Sequence, residues 1–245
     1  MEKDPKKTQP EVPGHSVAAT VRDRVTHGKT DYWRYSDFAD LPASAVAMAL
    51  SRMARKGALD RVGKGVYYRP HPTAFGASGP AASAVTAQTL RAPVHPAGLS
   101  AANLLGLTTQ NPRRTEYATT AAAPPQALGD AVVHTGRPAS RVGLSAEDGA
   151  ILETLRERAR NSDLSPQRTI GRLRRLLADE DRFRTLAAVA LAEPPRVRAM
   201  LGALGQELEM PESVLAPLRA SLNPLSRFDF GALGSLRFAR RWQAR

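Results

Sequence analysis

One stretch narrows the fold of this chain more than any other: Leu41-Pro42, then ASAVAMALSRMARKG, then ALDRVGKGVYYRP. Pro42 disfavours helical geometry at Leu41, so it makes a turn and a helix begins after it. Val46, Ala49, Leu50 and Met53 recur at spacings of three and four, one apolar face of a helix from Ala43 to Lys56. Gly57 follows where a left-handed residue commonly ends a helix. Leu59 and Val62 predict one strand, and Val66 with Tyr67 or Tyr68 the next, turning at Gly63-Lys64-Gly65. Upstream, Val17, Val21 and Val25 share a face at spacing four and predict a first helix over Val17–Val25. Ser36 or Asp37 can cap a short second helix over Asp37–Asp40. Helix, short helix, turn, helix and basic hairpin is the order of a winged helix-turn-helix.

Charge is concentrated in the same stretch. The chain carries a net +12 over 245 residues. Between Ala43 and Arg69, Arg52, Arg55, Lys56, Arg61, Lys64 and Arg69 face Asp60 alone, a net of +5. A basic surface of this density suits a polyanion. A helix fits the major groove, where small polar side chains and arginine read base edges. Ser44, Ala47, Ser51, Arg52 and Arg55 form the outer face of the third helix and are the candidate base-reading set. Lys56, Arg61, Lys64 and Arg69 complete the candidate DNA-binding set, with Lys64 placed to reach phosphate. Lys64 stands on a hairpin tip where flanking glycines allow close approach to a backbone.

The rest of the chain reads as mainly α with small β elements: the N-terminal winged helix-turn-helix, a mixed α/β middle and a helical C-terminal region. Residues 1–14 are charged and proline-rich and read as a disordered lead-in. Residues 15–70 hold the winged helix, and 71–80 are dense in proline and glycine and read as a linker. Residues 81–144 predict helices over Ala81–Arg91 and Leu99–Leu105 and strands over Tyr117–Thr120 and Ala131–Thr135. In 145–245, Ser145 with Asp148 and Ser165-Pro166 are helix starts, and further helices begin near Asp179, Pro194 and Pro211. Ile170, Leu173, Leu176 and Leu177 line one apolar stripe, with Arg168, Arg172 and Arg175 opposite, a solvated face or a partner surface. Leu225, Phe228, Phe230, Phe238 and Trp242 read as core or tail docking, otherwise as a partner patch.

With these motifs in place, FADLPASAVAMALSRMARKGALDRVGKGVYYRP resembles the N-terminal winged helix of AbiEi-type antitoxins of bacterial toxin–antitoxin and abortive systems. The matching positions are Asp37-Phe38, Leu50, Arg52, Met53, Arg55 or Lys56, Gly57, Arg61, Lys64, Gly65 and Tyr67. The segment GLSAANLLGLTTQNPRRTEYATT is similar to the family's middle motif through Ala101, Asn103, Leu105, Gly106, Leu107, Thr109, Gln110, Pro112 and Tyr117. Met53 stands where leucine is usual, and Tyr68-Arg69 departs from the family's ending. The resemblance implies a repressor of its own operon, bound to double-stranded promoter DNA through the winged helix, as a homodimer on inverted or direct repeats. It also implies neutralisation of a nucleotidyltransferase-like toxin. The alternative is a protein-interaction module that neutralises the toxin through residues 145–245, with DNA binding secondary.

Other classes are disfavoured. The absence of cysteine excludes disulfides, thiolate metal sites and thiol catalysis. The five histidines have no helical metal spacing, and no phosphate-cradling or dinucleotide motif occurs. The expectation is therefore no catalytic residue, metal or cofactor, and a binding protein rather than an enzyme. No apolar run approaches the ~20 residues that cross a bilayer, so no membrane contact and a cytoplasmic location are expected.

Overall fold

The computed structural model describes residues 16–74, 76–123 and 131–245. The lead-in expected over 1–14 lies outside them. The chain forms two compact units, Met1–Thr89 and Leu90–Arg245.

In the first unit, α1 (Val17–His27) is capped by the Ser16 side chain, which accepts from the Ala19 amide. After α1 comes a two-residue strand, β1 (Tyr32–Trp33), which the sequence pattern does not announce. The short second helix is a 3-10 turn over Tyr35–Phe38, starting two residues earlier than expected. The Asp37 carboxylate accepts the Arg34 amide at 2.7 Å from inside the turn, so it pins the first turn instead of preceding it. Phe38 is thereby buried against Trp33, ring centroids 5.5 Å apart. α2 (Ala43–Arg55) begins directly after Pro42 and buries Val46, Ala49 and Leu50. It ends as expected: Gly57 has φ +74°, Ala58 donates to Met53 and Gly57 to Ala54, closing a Schellman turn. β2 (Asp60–Gly63) and β3 (Val66–Tyr68) form the hairpin, and β1 joins β3 to give the antiparallel order β1-β3-β2. This is winged-helix topology. Val21, Val25, Val46, Leu50 and Leu59 make its core, each nearly fully buried.

Residues 71–80 are more than a linker. β4 (Pro72–Thr73) and β5 (Gly76–Ala77) pair as a small ribbon. The Ser78 hydroxyl, 2.7 Å from the Tyr68 hydroxyl, fastens it to the wing strand. α3 (Ala82–Leu90) follows, close to the expected span.

The second unit opens with β6 (Val94–Pro96), then α4 (Gly98–Leu104), β7 (Glu116–Thr119) and β8 (Val132–His134). β6 pairs with β7 antiparallel and β7 with β8 parallel. The helical part comprises α5 (Ala146–Arg156), α6 (Pro166–Leu176), α7 (Glu180–Ala190), α8 (Pro195–Glu207) and α9 (Glu212–Ala220). Ser145, Ser165 and Asp179 cap α5, α6 and α7, as the sequence predicts. The boundary expected at 144–145 does not separate two units. Ala101, Ala102, Leu105 and Leu107 share one core with Ile151, Leu155, Leu173, Leu204 and Trp242. α8 is buried on nearly every side, so it forms the centre. A methyl added at Gly202 would lie 2.1 Å from the Trp242 ring, so glycine there admits the indole. The late aromatics are therefore largely core: Phe230 and Trp242 are buried, while Leu225 is 88% exposed.

A buried ionic network ties this unit together. The fully buried guanidinium of Arg141 donates to Glu193 at 2.6 Å and to Glu153 at 2.5 Å. Arg137 donates twice to Glu153, at 2.8 Å each, and Arg156 to Glu193 at 2.7 Å. Burial pushes the Glu153 carboxyl up, but the hydrogen bond from Arg137 and the charge of Arg141 outweigh it and hold it below the usual range. Breaking a buried pair costs about 3–5 kcal/mol, because the remaining charge is stranded. Glu153→Gln should lose that much stability in urea denaturation. Because the folded pKa is depressed, the Glu153 contribution is complete above the unfolded value of about 4.3. It is lost as pH falls through the lower folded value. Stability of the wild-type unit should therefore decline on acidification below about pH 4, and Glu153→Gln should flatten that decline. A stable, pH-insensitive Glu153→Gln protein would contradict the role given to the network.

Candidate nucleic-acid interface

The candidate surface begins with what α2 does not bury. With Val46, Ala49 and Leu50 inward, the residues opposite lie one turn apart along a row: Ser44, Met48, Ser51 and Arg55. Ser44, Ala47 and Arg55 are exposed and Ser51 is half-buried. Met48, absent from the expected set, is 55% exposed in the middle of this row.

Arg52 lies elsewhere than the sequence reading places it. Arg52 and Lys56, four residues apart, flank the row on the side of α1, where they line a groove with Ala18, Arg22, Thr26 and Met53. Three cations, Arg22, Arg52 and Lys56, thus edge one groove between α1 and α2. Arg22 escapes the sequence reading. Its neighbour Asp23 cancels it in any charge count, and only helix packing brings it beside α2. The wing supplies two further cations. Arg61 is exposed on β2, paired in register with Tyr67. The hairpin tip is the two-residue Lys64-Gly65, with Gly63 paired to Val66 rather than part of the turn. Gly65 has φ +71°, which glycine accepts without strain, and Lys64 is exposed. Among the described residues, Arg22, Arg52, Arg55, Lys56, Arg61 and Lys64 form no ion pair, whereas Arg24 on the same helix is held by Asp40 at 2.6 Å.

Arg69 departs from its expected place in the DNA-binding set. Its guanidinium turns inward and donates to the carbonyls of Val25 at 2.5 Å, Thr26 at 2.7 Å and Gly28 at 2.9 Å. Its side chain is 17% exposed and also pairs with Asp31 at 3.3 Å. The last carbonyls of a helix lack intrahelical donors, and a cation placed there satisfies them and complements the helix dipole. Asp31 in turn lies 2.6 Å from the His71 ring. The hydrogen bond to His71, ahead of that to Arg69, holds its carboxyl below the usual range. Arg69 is a clamp between β3 and α1, so it is legible in the sequence as charge but not as structure.

In the second unit, Arg172 donates to the Leu105 carbonyl at 2.7 Å, while Arg168 and Arg175 remain exposed. Among the described residues no three histidine or acidic side chains converge as a metal site, and no helix is long and apolar enough to cross a membrane.

The first unit is thus a winged helix with an exposed cationic surface on α1, α2 and the hairpin. Residues 26–148 match the model described as Family of unknown function (DUF6088), and the chain belongs to that family. No match is found among the curated proteins. Among solved structures the chain is similar to the crystal structure of the RV2827C protein from Mycobacterium tuberculosis, at 19% identity over 92% of this chain and 89% of that chain, with a TM-score of 0.49.

The two kinds of cation should separate experimentally. Hydrogen bonds from a charged group are worth about 1.5–3 kcal/mol each, so Arg69→Ala should lower the stability of the first unit by about 2 kcal/mol or more in thermal or urea melts. Arg69→Ala protein that melts like wild type would show that the clamp carries no load.

Proposed function

We propose that this protein is a DNA-binding transcriptional repressor that docks its winged helix on promoter DNA, and that it serves as the antitoxin of a toxin–antitoxin pair. The observation that carries the DNA-binding part is the distribution of unpaired cations. Six of them lie on α1, α2 and the hairpin, while Arg24 and Arg69 in the same unit are consumed by structural bonds. Stability alone gives no reason to hold six cations free along one groove edge, the outer row of α2 and the hairpin.

The geometry supports a division of labour. The row Ser44, Met48, Ser51 and Arg55, with exposed Ala47 beside it, faces away from the core and is narrow enough to enter a major groove. Arg55 carries its one guanidinium, and a bidentate arginine–guanine contact discriminates by about 1–3 kcal/mol. Arg22, Arg52 and Lys56 flank the row and suit phosphates on one side; Arg61 and Lys64 suit phosphates at the hairpin. The antitoxin part rests on the resemblance of Asp37–Tyr67 and Ala101–Tyr117 to AbiEi-type antitoxins. The partners proposed on that ground are double-stranded promoter DNA and a nucleotidyltransferase-like toxin, in the cytoplasm.

The test is a titration of upstream DNA and of a scrambled duplex at several salt concentrations. Arg55→Ala should lose about 1–3 kcal/mol on the upstream duplex and almost nothing on the scrambled one. Lys64→Ala and Arg52→Ala should weaken both duplexes alike, each lowering the salt slope by about one. Folded Arg55→Ala, Arg52→Ala and Lys64→Ala proteins that bind both duplexes as wild type does would sink the docking proposed here. For the antitoxin part, co-expression with the product of the adjacent gene should restore growth; persistent toxicity with abundant folded protein would remove that half.

A further inference from the structure

Arginine and acidic residues balance between Ser145 and Arg219, twelve of each. From Ala220 onward five arginines, Arg227, Arg237, Arg240, Arg241 and Arg245, face Asp229 alone. The whole positive excess of the helical region therefore lies in its last segment. All five side chains are exposed, and among the described residues none forms an ion pair of its own. Asp229 is engaged by Arg158. Its carboxyl is held below the usual range first by the Gly231 amide, then by Arg158 and Arg245.

These arginines stand on a fixed platform. Phe230, Leu233, Leu236, Ala239 and Trp242 are buried, interleaved with the exposed cations. The Trp242 indole donates to Gln206 on α8 at 2.8 Å. The Phe228 amide donates to Gln243 at 2.8 Å and its carbonyl accepts from Arg245 at 3.0 Å, which closes the segment on itself. Two guanidiniums, those of Arg237 and Arg241, lie 5.1 and 5.5 Å from the centroid of one ring, Phe238. Like charges gathered on one ring repel each other. The nearby Glu207 carboxylate accepts the Arg237 amide and also pairs with Arg174, and among the described residues neither guanidinium on the ring has an ion-pair partner. An arriving anion offsets the repulsion at little entropic cost, because stacking has already ordered both side chains.

We propose that the arginine cluster of residues 227–245 is a second binding surface, which grips nucleic-acid backbone phosphates without regard to sequence. The planar guanidinium fork matches phosphate oxygens in a bidentate manner. An acidic protein partner fits less well. Protein interfaces are built around an apolar centre, and the rings beneath this cluster are turned into the core, leaving Leu225 as the exposed apolar side chain of the segment. This inference stands independently of the winged-helix reading.

The test uses the full chain and a duplex of unrelated sequence. The Arg237→Gln/Arg240→Gln/Arg241→Gln protein should bind it more weakly, and its salt slope should fall by about two to three, near 0.9 for each phosphate left without its arginine. The corresponding triple lysine variant should keep most of the slope, and Leu225→Ser should bind as wild type. Arg240→Gln, which leaves the Phe238 stack intact, should lower the slope by about one even if the triple variant melts early. The same substitutions made in an Arg52→Ala/Arg55→Ala/Lys64→Ala background separate the two surfaces. If only the cluster variants weaken binding, the winged-helix reading fails and this one stands. Folded triple-glutamine and Arg240→Gln proteins with unchanged slope would overturn it. So would a loss of binding to poly-glutamate with duplex binding intact, which would assign the surface to an acidic protein.

Discussion

The packing of α1 on α2 is the constraint on which the first unit depends. Val21 and Val25 on one helix and Val46 and Leu50 on the other are each essentially inaccessible to water. Fully burying such a side chain is worth about 1.5–3 kcal/mol, so the rotation of α2 about its axis is strongly specified. Once that rotation is set, every other side chain on α2 has its place. Arg55 must face outward, and Arg52 and Lys56 must lie along the α1 edge, where Arg22 meets them. Arg69 depends on the same packing, since its acceptors are the terminal carbonyls of α1. The cationic surface is thus a consequence of an apolar contact in which no charged group takes part.

The second unit shows arginine used in two opposite ways. Arg141 is wholly buried and owes its place to Glu153 and Glu193, which link the turn at Ala139–Arg141, α5 and the loop between α7 and α8. Several other helical arginines are likewise consumed: Arg182 by Glu147 and Asp148, Arg156 by Glu193. Arg237, Arg240 and Arg241 have no such partner among the described residues, although they sit in an equally ordered segment. The same side chain is a strut where carboxylates reach it and a free charge where none does. The sequence alone does not separate the two cases, because the partners of Arg141 lie 12 and 52 positions away.

What is legible in the sequence follows the range of the interactions. Helix ends are readable because caps are local: Ser145, Ser165 and Asp179 lie within three residues of the amides they serve, and Gly57 ends α2 by its own backbone freedom. The strands of the hairpin are readable from their apolar residues on either side of a glycine-flanked turn, although burial does not alternate along them: β3 is buried at all three positions. β1 and β6 are not readable, because two or three residues carry no period, and each becomes a strand only through pairing with a distant segment. Proline and glycine read as a linker, yet Ser78 bonds to Tyr68, a contact that composition does not encode. In the candidate surface, exposure of Ser44, Ala47, Arg55, Arg61 and Lys64 follows from helix and strand period. The inward turn of Arg69 and the recruitment of Arg22 depend on packing between elements.

If this protein docks on DNA as proposed, the outer row of α2 also bounds what one copy can do there. Under the reading proposed above, Arg55 is its one side chain able to make a bidentate base contact, and such a contact discriminates by about 1–3 kcal/mol. Ser44, Ser51 and Met48 add short-range polar or apolar contacts of smaller value. Specific recognition at physiological salt exceeds non-specific binding by about 4–10 kcal/mol. Cations along the α1 edge, on the hairpin and on the 227–245 segment do not close that gap, because phosphate contacts strengthen binding to all sequences together. Discrimination has to come from repetition or from the shape of the duplex. Two copies on repeated half-sites double the base-reading term while the phosphate terms hold each copy in register. Under that reading, a single arginine-bearing row on an otherwise generously cationic protein needs repeated half-sites or a readily deformed duplex to reach operator specificity.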